Sequence, residues 1–126
     1  MKQRILVIDD TSVIRDFLFE VLTDEGFSVD VANNGVIGSE MALANDYLII
    51  FCDIHMPMMN GFQTVQRIRE SKPDIPIVVT DSYPSKLAQQ ASEAGAIKCL
   101  AKPFSLEELR LTINDVIENK KAAELK

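Results

Sequence analysis

Leu48-Ile49-Ile50-Phe51-Cys52-Asp53 decides the fold, because an unbroken apolar run there delivers a single carboxylate. The run is rich in β-branched and aromatic residues and too short for a typical helix, which predicts a parallel strand covered on both faces. In the segment that follows, Ile54-His55-Met56-Pro57-Met58-Met59-Asn60-Gly61, Pro57 and the Asn60-Gly61 pair break regular structure. Asp53 therefore lies where strand becomes loop. In an open α/β sheet the carboxyl ends of the strands are where ligands bind. A lone Asp at such a position is more commonly a strand or turn cap, so its weight depends on the rest of the chain.

Working outward toward the N-terminus, Ile5-Leu6-Val7-Ile8 is a second short apolar run that also ends in acids, Asp9 and Asp10. From Ser12 the period becomes helical through Val13, Ile14, Phe17, Leu18, Val21 and Leu22, and Gly26 closes the segment as a C-cap. Phe27-Ser28-Val29-Asp30-Val31 alternates apolar and polar, the pattern of a half-exposed or edge strand. Asn33-Asn34-Gly35 makes a turn into a helix carrying Val36, Ile37, Met41, Ala42 and Leu43 to about Asn45, with Gly38 weakening it.

Toward the C-terminus, Val65 and Ile68 beside Arg67, Arg69 and Glu70 predict an amphipathic helix closed before Pro73. Pro76 precedes the strand Ile77-Val78-Val79, which ends in Thr80. A fourth helix is expected from near Pro84 through Leu87, Ala88 and Ala91 to Gly95. Residues 96–101 form the last strand, ending in Lys102-Pro103. Ser105-x-x-Glu108 reads as a capping box opening a helix with Leu106, Leu109, Ile113, Val116 and Ile117 on its core stripe. The expected division is one domain over residues 1–120, with 121–126 a charged tail or helix extension. Five strands alternating with five helices argue an α/β, doubly wound (βα)5 sandwich. For its parallel sheet, the flavodoxin-like strand order 2-1-3-4-5 is one of two common outcomes. That order makes the first and third strands neighbours, so Asp9 and Asp10 face Asp53 across a crevice.

Composition agrees with one domain: 126 residues, 47% hydrophobic and 25% charged, suffice for a real core. Thirteen basic against 19 acidic residues give a net charge of -6, which disfavours direct binding to nucleic acid or an anionic membrane. Cys52 and Cys99 lack CxxC spacing, so neither a disulfide framework nor a zinc site is indicated. The short apolar run after Met1-Lys2-Gln3-Arg4 is too brief for a signal peptide or a span. The expectation is a cytoplasmic chain without membrane insertion.

Four strand ends, at Asp9-Asp10, Asp53, Thr80 and Lys102, thus converge on one crevice with three carboxylates, a hydroxyl and an ammonium. Carboxylates so close raise one another's pKa unless a cation intervenes. Hard oxygen ligands suit Mg²⁺, with Mn²⁺ as an alternative, and the backbone carbonyl of His55 is a candidate to complete the shell. Asp53 can act as a nucleophile on phosphorus, giving an aspartyl phosphate. Lys102 and the metal would neutralise phosphoryl oxygens while Thr80 hydrogen-bonds one of them. Each residue also has a plain reading: capping acids at Asp9-Asp10, a β-former at Thr80, a solvated lysine at 102, an exposed loop histidine at 55, packing methionines at 56, 58 and 59. Singly the plain readings win; jointly they require a coincidence of position.

Over residues 2 to about 118 this pattern resembles the receiver domain of two-component response regulators. The resemblance rests on Asp9-Asp10, on Asp53 followed by Met56-Pro57 and Gly61, on Thr80, and on Lys102-Pro103-Phe104. It implies that Asp53 accepts a phosphoryl group from a histidine kinase or phosphotransfer protein, or from a small phosphodonor. It also implies that Asp10 binds Mg²⁺ directly, Asp9 acts mainly through water, and Asp53 and the His55 carbonyl complete the ligands. Lys102 would pair with the phosphoryl group, its bond to Pro103 being cis. Thr80 would move toward that group and alter the surface of the fourth helix, fifth strand and fifth helix. Two positions depart from the family pattern. Cys99 stands where a Tyr or Phe is common, with Tyr83 as a candidate substitute, and Asp81 stands where a small residue is common. Asp81 would add a negative charge near the phosphoryl site, against phosphodonor or metal.

The function so implied is a signalling domain, a monomer or weak dimer, that promotes its own phosphorylation and dephosphorylation rather than turning over a separate substrate. Its downstream protein target is not legible in the sequence. Two alternatives stand beside it. A degenerate receiver would bind partners without phosphorylation, which Cys99 and Asp81 favour and Asp53, Thr80 and Lys102 oppose. A Mg²⁺-dependent phosphohydrolase would need a D-x-D motif after the first strand, and Asp9-Asp10-Thr11 does not supply it.

Overall fold

A computed structural model describes residues 2–82 and 85–125. The expectations at Tyr83 and Pro84 lie outside the described residues. Strands β1 (Arg4–Ile8), β2 (Ser28–Ala32), β3 (Ile49–Asp53), β4 (Ile77–Asp81) and β5 (Lys98–Ala101) alternate with helices α1 (Ser12–Asp24), α2 (Gly35–Ala44), α3 (Gly61–Ser71), α4 (Lys86–Glu93) and α5 (Leu106–Glu124). The strands form one sheet in the order β2-β1-β3-β4-β5, and every neighbouring pair is parallel. This is the flavodoxin-like arrangement expected from the sequence.

The side-chain period of two divides each central strand between two cores. Leu6, Ile8, Ile50, Cys52, Ile77 and Val79 join Val65, Ile68 and Ala91 on the face covered by α2, α3 and α4. Ile5, Val7, Ile49, Phe51 and Val78 join Leu18, Leu22, Leu109, Ile113 and Val116 on the face covered by α1 and α5. Continuous apolar runs are thus explained by burial on both sides. The alternating strand β2 lies at one edge, as its pattern requires, and the short β5, with Lys98, Cys99 and Ala101 exposed, lies at the other.

The helical spacing from Ser12 is realised in α1, where Ile14, Leu18, Val21 and Leu22 face the core and Val13 and Phe17 are exposed. An apolar stripe six residues rich was too wide for the one sheet face that α1 covers. Gly38 has a packing role, since a Cβ there would lie 2.5 Å from the Ile8 side chain. Helix α2 approaches β1 closely because that atom is missing. The capping box at Ser105 and Glu108 is present, and α5 continues to Glu124, through most of the expected tail. Among the described residues no helix is long and apolar enough to cross a membrane.

Candidate functional site

Parallel strands bring their carboxyl ends to one side of the sheet, and β1 and β3 are adjacent there. Asp9 follows β1 directly, Asp53 is the last residue of β3, Thr80 pairs with Asp53 in register on β4, and Lys102 follows β5. One oxygen from each of Asp9, Asp10 and Asp53 lies within 4.8 Å of the others. Asp9, Asp53 and Thr80 are buried, while Asp10 is exposed at the mouth. Lys102 Nζ donates to Asp9 Oδ2 at 3.0 Å and to Asp53 Oδ1 at 3.2 Å. The sequence-derived acids, hydroxyl and ammonium are therefore brought to one place.

Local structure fixes each group. The Asp9 carboxylate accepts from the Thr11 backbone N–H at 2.8 Å, and Arg15 donates to the Asp9 carbonyl at 2.8 Å. These bonds hold the turn between β1 and α1. After β3 the chain curls back so tightly that Gly61 donates to the Ile54 carbonyl at 2.8 Å. A Cβ at Gly61 would lie 2.5 Å from the Asp53 carbonyl oxygen, so the turn admits only glycine without movement. Asn60 caps α3 with Gln63 in a reciprocal box, anchoring the far end of this loop. The Lys102-Pro103 bond is cis.

Burial, then the neighbouring Asp9 charge, pushes the Asp53 carboxyl up to about 6, with Lys102 opposing the shift. Burial alone would lower the Lys102 ammonium, but its bonds to Asp9 and the Asp53 charge outweigh that and raise it. Three close acids with one ammonium leave a net negative cluster, which adds to burial in raising the Asp53 carboxyl. A hard divalent cation fits the donor set, since all three groups present oxygen and Asp10 opens to solvent.

The flanking residues are placed as follows. Asp81 is turned inward, its side chain 4% exposed, with Oδ1 2.8 Å from His55 Nε2. Its Oδ2 accepts from Ser85 Oγ at 2.8 Å. Both Asp81 carboxylate oxygens thus have a polar partner beside the crevice. His55 is half-buried against this acid rather than freely exposed. Cys99 lies exposed on the edge strand β5, and its thiol is pushed up by partial burial and by Asp81. Sequence reading missed Ser85, which also caps α4 by accepting from the Ala88 N–H at 3.2 Å. Its signal was available in Ser85 standing four residues after Asp81, before an apolar helical stripe. A groove of about 1110 Å³ lies at the opposite, N-terminal ends of the strands beside Asp46, Pro76 and Ile97, and none of the convergent acids lines it. Chemistry rather than volume locates the site.

The family model described as response regulator receiver domain matches residues 5–114. The response regulator MprA of Mycobacterium leprae is 34% identical over 119 residues, covering 94% of this chain and 52% of the relative. The transcriptional regulatory protein ZraR of Klebsiella oxytoca is 31% identical over 121 residues, covering 95% of this chain and 27% of the relative. The chain thus spans about half of one relative and about a quarter of the other. Among solved structures, the response regulator TrrA of Thermotoga maritima in complex with Mg²⁺-BeF superposes with a TM-score of 0.83 at 32% identity, over 90% of this chain and 98% of that one. The chemotaxis protein CheY4 of Vibrio cholerae gives a TM-score of 0.85 at 29% identity, over 92% and 99%.

Proposed function

The chain belongs to the response regulator receiver domain family, a family of signalling domains, and from that premise we propose that Asp53 is its phosphoacceptor. The observation that carries the proposal is the Lys102 ammonium bridging Asp9 and Asp53, with Thr80 in register beside the latter. An Asp53 oxygen attacks phosphorus and forms the P–O bond as the P–N bond of a phosphohistidine breaks. The bonding pair leaves with the imidazole nitrogen. With a small acyl phosphate, the P–O bond to the carboxylate leaving group breaks instead. Lys102, already 3.2 Å from Asp53, transfers its hydrogen bond to a phosphoryl oxygen, and the Thr80 hydroxyl donates to another. Asp10, Asp53 and the His55 carbonyl would hold Mg²⁺, or alternatively Mn²⁺, with Asp9 acting through water. The ion would supply charge neutralisation on the phosphoryl oxygens.

The partners of this reading are a histidine kinase or a phosphotransfer protein upstream and a protein target downstream. TrrA bound to Mg²⁺-BeF supports the cofactor, and the acid cluster here has the donors for it. Incubation with acetyl phosphate and Mg²⁺ is expected to add one phosphoryl mass, stable to acid and labile to base. Asp53→Asn is expected to abolish the adduct. A protein that acquires no adduct and binds no beryllofluoride overturns the reading.

A further inference from the structure

We infer that Asp81 is a positioning residue that ties the loop after β3 to the first turn of α4, so that occupancy at Asp53 is felt by α4. The inference rests on the phosphoacceptor reading above. Its geometry is a single buried carboxylate shared between two segments. Oδ1 lies 2.8 Å from His55 Nε2, and Oδ2 accepts from Ser85 Oγ at 2.8 Å. His55 is two residues beyond Asp53, and Asp81 directly follows Thr80. A group on Asp53 that draws in the Thr80 hydroxyl or the loop after β3 therefore displaces or stiffens one end of this link.

The other end is placed where a small force matters. Helix α4 has only eight residues, with Ala91 its one fully buried residue and Leu87 and Ala88 partly buried against the core, a small apolar area for fixing a short helix. Its N-terminus depends on Ser85, whose oxygen receives the Ala88 N–H at 3.2 Å while its own hydroxyl hydrogen goes to Asp81. The hydroxyl thus caps the helix and joins it to β4 with one atom. A carboxylate in the crevice wall, instead of opposing the chemistry, becomes the connection from the crevice to a weakly held helix.

The test is amide hydrogen exchange of residues 88–93 with and without beryllofluoride and Mg²⁺, with fluorine NMR reporting bound beryllofluoride in the same samples. In the unaltered chain, exchange in α4 is expected to slow about tenfold on binding, as local opening is suppressed. Asp81→Ala is expected to keep the bound fluorine signal and lose the α4 response. Ser85→Asp separates the link from capping, since aspartate caps a helix well but cannot donate to Asp81 when ionised. It is expected to lose the response, whereas Ser85→Thr, which both accepts and donates, retains it. A full α4 response in Asp81→Ala and Ser85→Asp overturns the link while leaving the phosphoacceptor reading intact. Absence of any bound fluorine signal in the unaltered chain overturns that reading and the link with it.

Discussion

At the scale of single residues, Asp53 carries opposite demands. Burial and Asp9 lift its carboxyl to about 6, so without a divalent cation the folded chain holds a proton there that the unfolded chain has released. Stability therefore falls as pH rises from the unfolded value of 3.8 to about 6, and the loss is complete at neutral pH. Asp53→Asn is expected to stabilise the metal-free protein at pH 7 by about 2 kcal/mol, with the gain vanishing below pH 4. Urea unfolding at the two pH values checks it. Mg²⁺ should likewise raise the urea midpoint of the unaltered chain at pH 7, because binding to the folded state alone stabilises it, and should do so much less in Asp53→Asn. Lys102→Met removes the ammonium that opposes the shift, so the Asp53 carboxyl should titrate above its present value when followed by carbon-13 NMR.

At the scale of elements, the site depends on how strands end and helices begin. Gly61 lets the loop after β3 fold back on the Asp53 carbonyl, where a Cβ would be 2.5 Å away. Because that neighbour is backbone, Gly61→Ala must move the loop that carries His55. It is expected to cost about 1–3 kcal/mol in urea unfolding, and to slow adduct formation from acetyl phosphate beyond what the stability loss explains. Ser105→Ala, by contrast, removes the α5 capping box at a cost of about 1 kcal/mol, with phosphorylation unaffected. These two ends were readable in advance, from Asn60-Gly61 and from Ser105-x-x-Glu108, because turn and cap chemistry act over a few residues. The α4 cap was not read at Ser85, since Pro84 drew the expected start of the helix toward itself. Within α1 the apolar spacing showed a helix but not which apolar residues the sheet covers: Leu18 is buried, whereas Val13 and Phe17 are exposed.

At the scale of the molecule, one parallel sheet separates two cores, and the residues of β3 serve both. Phe51 is the largest of the fully buried side chains, so Phe51→Ala is expected to lower stability by about 3–5 kcal/mol in urea unfolding. The sequence by itself determined the kinds and order of the elements, the double burial of the central strands and the polar group at the end of each. Periodicity, breakers and caps are local properties of the chain. Only the tertiary structure decided which polar groups touch: Lys102 bonds Asp9 across 93 residues of sequence, and Asp81 meets His55 and Ser85. Such contacts depend on strand register, loop path and rotamer together, and no local pattern in the chain encodes that combination.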